Sequence, residues 1–420
     1  MFYNINRRRD IMKERIVFHI DVNNAFLSWT AVKLLKEGYK EDIRKIPSVI
    51  AGEEIERRGI VLAKSPIAKK YHIVTAETLY QARKKCPSLK VFDPDYKWYS
   101  EKSKELFTYL SQYSPTMEQF SIDECFMYMT GTNYLYKDYQ KLAYYIKDDI
   151  KQRFGYTVNI GIGNNKLCAK MASDFEKPDK VHTLLKNEIV QKLWPLDVGD
   201  LLMVGKSTKE TLNKLKIYTV EQLAKTDQKI LTRYFKSQAE YLHNAAYGID
   251  DSKVTKRNPK TKSISISETL PYDCTNEDKL VEMILTFAET TTRDLRKQKQ
   301  FATTVAVFYK NSDFENYSAQ EKLKRPSNNI KDIYKLALEI FRKSYKGDKI
   351  RLIGLRLADL TTNNDYQLSF FEEEKPEEKD EIQETLDKIN EKFGKSLIAP
   401  ASIKLITNNK KERVRLDKKT

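Results

Sequence analysis

Three acidic side chains in two short apolar runs set the chemistry open to this sequence. Asp21 closes the run Ile16-Val17-Phe18-His19-Ile20-Asp21, and Asp123 and Glu124 stand side by side in Phe120-Ser121-Ile122-Asp123-Glu124-Cys125-Phe126. An ionised carboxylate in an apolar, β-prone run is costly unless a cation or a dense set of donors replaces the lost water. Kept apart, each acid would be capped or paired with one of the many Lys and Arg side chains; gathered, the three form a divalent-metal site, which is the reading favoured here. An oxygen-only ligand set suits Mg2+, with Mn2+ as a substitute. Two such ions about 4 Å apart are a recurring means of in-line attack on a phosphate, so phosphoryl or nucleotidyl transfer is expected.

These acids need elements to hold them. Asp21 falls where its run gives way to Val22-Asn23-Asn24, and Phe26, Trp29, Val32 and Leu35 then recur at helical spacing. A strand-to-helix turn is expected, with Asn23 or Asn24 as N-cap and Gly38 as stop. Two adjacent acids on one regular strand face opposite ways, which predicts that the second strand ends or bulges at Asp123 and Glu124. Farther on, Tyr156 to Ile162 alternates like a strand, Gly161 and Gly163 read as a tight turn, and Asn164 or Asn165 caps a following helix. Lys166 lies in that helix's first turn, where anions are attracted, and Lys170 follows one turn later.

Asp21-Val22-Asn23-Asn24-Ala25-Phe26, Ser121-Ile122-Asp123-Glu124 and Gly161-Ile162-Gly163-Asn164-Asn165-Lys166-Leu167-Cys168-Ala169-Lys170-Met171-Ala172-Ser173-Asp174 resemble, in order and spacing, the three signature segments of Y-family DNA polymerases. These are the translesion enzymes, and the resemblance, over residues from about 15 to 371, is closest to the DNA polymerase IV (DinB) branch. It implies that Asp21, Asp123 and Glu124 hold two Mg2+ ions, with the Val22 backbone carbonyl as a further ligand and Glu124 helping to place the primer 3′-hydroxyl. It also implies a nucleotide site lined by Asn23, Asn24, Ala25, Phe26, Ser65, Lys69 and Lys166. Phe26 would be the steric gate beneath the sugar, and Lys166 the triphosphate contact; Lys170, one turn later, could face DNA or solvent. Where the family carries a Tyr and an Arg three residues apart, this chain has Pro66 and Lys69. Lysine keeps the charge but lacks the planar fork, so either Ser65 and Lys69 compensate or nucleotide binding is weaker. Ala25 stands where a second aromatic is common, which implies a roomier pocket over the incoming base.

The expected fold is a multidomain α/β (α+β) protein. After an N-terminal extension at 1–15, a catalytic palm at 16–30 and 96–185 is interrupted by small fingers at 31–95. A helical thumb at 186–250 contains a helix-hairpin-helix pattern whose Gly205, Lys206 and Ser207 would offer amides to a DNA phosphate. A basic linker at 251–262 reads as a tether across DNA, and a little finger at 263–362 has ferredoxin-like β-α-β-β-α-β order. Within it, strands are predicted at 263–270, 301–310, 315–324 and 351–360, and helices at 276–298 and 329–345. Lys262, Ser263 and Ser265 are candidate DNA contacts. In the tail at 363–420, Gln367, Leu368, Phe370 and Phe371 belong to a pentapeptide that resembles the bacterial sliding-clamp binding motif.

A net charge of +16 and a pI of about 9.3 fit a polyanionic partner, although any lysine-rich protein shares them. Four cysteines without Cys-x-x-Cys spacing argue against a zinc site or a disulfide framework. No run resembles a membrane span or signal peptide, so a cytoplasmic monomer is expected. Together these readings imply a template-directed DNA polymerase that uses primer-template DNA and deoxynucleoside triphosphates, copies with low fidelity, and bypasses damaged template bases. The alternative is a non-catalytic scaffold that binds DNA and clamp, suggested by Pro66 and Lys69.

Overall fold

The computed structural model describes residues 15–52, 59–132, 135–256 and 261–363, together with Thr385 and Ile389, and its contacts divide the chain into two compact units that part between 256 and 261.

The first unit is built round a strand with no polar face to show to water. β1 (Val17–Val22) is buried along its whole length and leads into α1 (Ala25–Lys36), which stops before Gly38 at φ 89°. β2 (Ser48–Ala51), β3 (Val61–Lys64) and β4 (Lys90–Phe92) form a small sheet in the order β3-β2-β4. α2 (Pro66–Lys70) and α3 (Leu79–Lys85) close its apolar cluster through Ala68, Leu79 and Ala82. There follow α4 (Tyr96–Leu110), β5 (Met117–Gln119), β6 (Glu124–Tyr128), α5 (Tyr139–Phe154), β7 (Val158–Gly163), α6 (Lys166–Asp174) and β8 (Val181–Leu184).

The larger sheet runs β5-β6-β1-β7-β8, with β1 antiparallel to both neighbours. Side chains alternate across β1. Phe18, Ile20 and Val22 join Trp29, Tyr99 and Ile146 in the main core, while Val17 packs with Ala169 of α6. Each fully buried Phe, Leu or Ile in such a core contributes about 1.5–3 kcal/mol. The period of two therefore puts His19 and Asp21 on the α6 side. α7 (Lys206–Lys214), α8 (Val220–Ala224), α9 (Gln228–Phe235) and α10 (Ala239–Ala246) share a separate core with Leu167 and Met171 of α6.

The second unit reads β9 (Ser263–Cys274), α11 (Glu277–Lys297), β10 (Ala302–Asn311), β11 (Asn316–Ser327), α12 (Ile330–Ser344) and β12 (Ile350–Ala358). The ferredoxin-like element order is present, with both βαβ crossovers split. The sheet order β11-β10-β12-β9 sets β12 between β9 and β10, and β10 between β11 and β12, leaving the first strand at an edge. Both helices pack on one face, against Val305, Val307, Ile353 and Leu355.

All four cysteines are free and buried, one in each of four apolar clusters: Cys86 with the small sheet, Cys125 in the main core, Cys168 among the helices, and Cys274 in the second unit. Among the described residues no helix is long and apolar enough to cross a membrane.

Candidate catalytic site and nucleic-acid surfaces

Sheet register brings the acids together. Asp21 lies directly opposite Glu124 in the antiparallel β1–β6 ladder, so their side chains share a face. β6 begins only at Glu124, and the irregularity expected there is the Ser121–Asp123 turn, whose Ser121 Oγ accepts from the Asp123 and Glu124 amides at 3.2 and 3.1 Å. Asp123 stays at the sheet through its carbonyl, which accepts from Val22 N at 3.2 Å. The Asp21 carboxyl is pushed up to about 6: burial raises it most, Lys177 offsets part of that rise, and the Glu124 and Asp123 charges add to it.

Each carboxylate is engaged by the protein itself. Asp21 pairs with Lys177, which also reaches Asp174 at 2.7 Å; Glu124 pairs with Lys170 at 2.8 Å; Asp123 accepts from Ser121 Oγ at 2.6 Å. Among the described residues no three His, Cys, Asp or Glu side chains are grouped so that, as they stand, they could hold a metal ion. The donor chemistry nevertheless fits hard divalent ions, because three carboxylates stand at the ends of two paired strands, and Glu124 and Asp123 raise the proton affinity of Asp21.

Sequence reasoning missed several residues here. Lys170, which could have faced DNA or solvent, sits with its ammonium at Glu124 and 5.6 Å from the Phe120 ring centre. Lys166 points elsewhere and pairs with Glu118 at 2.7 Å. Asn159, fully buried on β7 opposite Asp21, donates to the carbonyls of Ser173 and Glu176 at 2.9 and 2.7 Å. A lone amide in the apolar run Val158–Ile162 was the signal that could have found it. His19 is also fully buried, with Nδ1 2.8 Å from Ser173 Oγ, and burial together with the Lys170 and Lys177 charges keeps its pKa well below 6.5 and the ring neutral. Cys125 is a packing residue, its thiol pushed up by burial.

The expected nucleotide-binding set divides. Phe26, half-buried, stacks on Tyr99 with centroids 4.6 Å and planes 9° apart. Asn24 is exposed at the N-cap position of α1, but its side chain makes no capping bond: the residue is left-handed at φ 52° and its amide donates to the Lys64 carbonyl at 2.7 Å. Asn23 is a structural pin, bonded to Asn159 at 3.0 Å and to the Asp179 amide at 2.9 Å. Ser65 is withdrawn from the set: it is fully buried, and its hydroxyl caps α2, donates to the Ile46 carbonyl and accepts from Ser48 N. Ala25 is buried and Lys69 exposed.

Gly161 and Gly163 do not make a tight turn. Both lie within β7, and a Cβ on Gly161 would stand 1.9 Å from the Ala169 carbonyl oxygen; on Gly163, 2.4 Å from Ala169 N. They let α6 lie directly on the strand. Asn165 caps α6 through Cys168 N at 2.7 Å.

On the helical part, Gly205 caps α7 with open space around its α-carbon, and Lys206 and Ser207 are exposed. The expected tether begins docked: Val254 packs with Val17, Phe126 and Ala169, and Thr255 N donates to Glu118 at 3.0 Å. In the second unit Lys262, Ser263 and Ser265 are exposed, the serines alternating with Ile264 and Ile266. Gln367, Leu368, Phe370 and Phe371 lie outside the described residues.

Residues 20–174 match the impB/mucB/samB family, and residues 261–370 match that family's C-terminal domain. The sequence is 44% identical over 384 residues to DNA polymerase IV of Clostridium acetobutylicum, covering 91% of this chain and 97% of the relative. It is 32% identical over 389 residues to DNA polymerase IV 1 of Bacillus subtilis, covering 92% of each. Its fold is similar to that of a Y-family DNA polymerase chimera of Dbh and Dpo4, at TM-score 0.70 and 22% identity, and of DinB from Sulfolobus solfataricus, at 0.55 and 23%. Each covers 83% of this chain and 100% of the other.

Proposed function

The chain belongs to the impB/mucB/samB family, the DinB-like Y-family DNA polymerases, and from that membership we infer a template-directed DNA polymerase that adds deoxynucleotides to a primer 3′ end and bypasses damaged template bases. The observation that carries the reading is the register that sets Asp21 against Glu124, with Asp123 beside them, inside the matched segment.

Asp21, Asp123 and Glu124 would hold two Mg2+ ions, or Mn2+ in their place, which when bound lower the pKa of the primer hydroxyl and offset triphosphate charge. The chain's own groups do the rest. Lys170, at the carboxylates, supplies a fixed positive charge to triphosphate oxygens. Phe26, held flat by Tyr99, fills the volume a 2′-hydroxyl would need. Asn24 ties the head of α1 to the end of β3, the strand that leads into the helix carrying Lys69.

The larger sheet with its helices serves as palm, the β3-β2-β4 sheet as fingers, α7–α10 as thumb and the second unit as little finger. The α7 amides at Gly205 to Ser207, and Lys262, Ser263 and Ser265, are assigned to the DNA backbone. A monomer that docks on a sliding clamp through Gln367 to Phe371 rests on sequence alone, and a DNA substrate supports a cytoplasmic setting. All three carboxylates are in place, which argues against a scaffold without catalysis.

Primer extension with Mg2+ on an undamaged and an abasic template tests the reading. The native chain is expected to extend both, and Asp123→Ala/Glu124→Ala to extend neither while remaining folded. A folded native chain that binds DNA and extends nothing would return the scaffold.

A further inference from the structure

Both arginines of β12 lie over phenylalanine rings. The Arg356 guanidinium is 5.5 Å from the centre of Phe308, and that of Arg351 is 4.7 Å from Phe314, which also has the Lys310 ammonium at 5.9 Å. Neither arginine has a carboxylate partner among the described residues.

The surrounding backbone is shaped for these stacks. Phe308 faces Gly354 in the β10–β12 register, and a Cβ on Gly354 would stand 2.3 Å from Phe308 Cζ, so the glycine is what lets the ring cross the strand. Phe308 alternates with Val307, which faces the helices, so its ring lies on the sheet's other face. At the hairpin tip Phe314 is 59% exposed and left-handed at φ 66°, a conformation disfavoured for an aromatic. Asn311 Oδ1 holds the loop by accepting from Asp313 N and Glu315 N at 3.0 and 2.9 Å. Arg351 sits where the register jumps from Lys310–Leu352 to Asn311–Ile350, the kind of bulge that re-aims a side chain. Ladder positions on the helix-free face include Ser265, Arg356, Lys310, Gln320 and Lys322, and no Asp or Glu.

An arginine paired with a carboxylate spends its N–H groups there, whereas one stacked on a ring keeps them for another anion. We propose that Phe308 and Phe314 are positioning residues that preset Arg356 and Arg351 as a two-point grip on the phosphates of a nucleic-acid backbone. Presetting removes rotamer freedom before binding and so strengthens it. The inference rests on the reading that this sheet face meets DNA.

Fluorescence anisotropy of the full chain on a primer–template duplex, over a salt series, separates the two claims. Arg351→Ala and Arg356→Ala should each weaken binding and reduce the slope of log K against log salt by about 1. Phe308→Leu and Phe314→Leu keep apolar bulk but lose the π face; each should weaken binding about 2- to 5-fold with the slope unchanged. Phe308→Tyr and Phe314→Tyr should bind as the native chain does. Thermal unfolding checks that the variants stay folded. Leucine variants with native affinity beside weakened arginine variants would overturn the positioning role alone. Arginine variants with native affinity and slope would overturn the DNA face itself, and the inference with it.

Discussion

Lys166 and Lys170 are one helical turn apart, carry the same charge, and end in different places because the strands opposite them differ. Lys170 meets Glu124 of β6, where triphosphate oxygens would come; Lys166 meets Glu118 of β5, whose other oxygen is held by Thr255 N. A charge-assisted hydrogen bond is worth about 1.5–3 kcal/mol. Lys170→Ala is therefore expected to lower kcat/KM for the incoming nucleotide about 10- to 100-fold, which corresponds to that energy. Lys166→Ala should change it far less, and steady-state extension kinetics giving the reverse order would return the triphosphate to Lys166. Residue types were enough to find the acids, since a buried carboxylate needs an explanation wherever it occurs. They could not tell which lysine answers it, nor that the hydroxyl of Ser65 and the amide of Asn23 are already spent on the fold. Those partners come from strands and turns far away in the chain, and only the register of the folded sheet brings them close.

At the scale of elements, the site depends on how tightly α6 lies on β7. Gly161→Ala would put a methyl group against the Ala169 carbonyl, which belongs to backbone and cannot turn aside. The expected cost is about 3 kcal/mol or more, read as a lower unfolding midpoint, together with slower extension by the folded fraction because α6 carries Lys170. The turn after α6 has its own brace: Asp179 pairs with Lys147 at 2.8 Å and Lys151 at 2.7 Å. Burial works to raise the Asp179 pKa, yet hydrogen bonds from both lysines hold it below 3.8. The native state thus binds this proton more weakly than the unfolded chain. The stabilisation is complete above the unfolded value and is lost as pH falls through the native one. Asp179→Asn should destabilise by about 1 kcal/mol at pH 7, and the gap from the native chain should close in acid below 3.8. A gap that persisted in acid would mean that the side chain acts through shape. Elements of the second unit were legible to within a few residues because its sheet has one apolar and one polar face, so the sequence alternates. Gly161 and Gly163 misled because a glycine needed for close approach looks, in sequence, like one needed for a turn.

For the molecule as a whole, the family resemblance carried what periodicity could not: that acids a hundred residues apart share one face, and that a basic C-terminal sheet follows them. The placement of one thiol in each of four cores has a use that has nothing to do with polymerisation. A buried thiol is invisible to an alkylating reagent until its surroundings open, and burial pushes that of Cys168 up to about 12 besides. The native chain therefore carries four internal clocks, and peptide mass spectrometry after timed alkylation can read each separately. Opening energies differ from one cooperative region to another. Cys86, in the smallest of the four clusters, should be capped first and Cys125, under the central sheet, late. Four equal rates would mean that the chain opens only as a single body; a spread would give the order in which this protein comes apart, with no mutation needed.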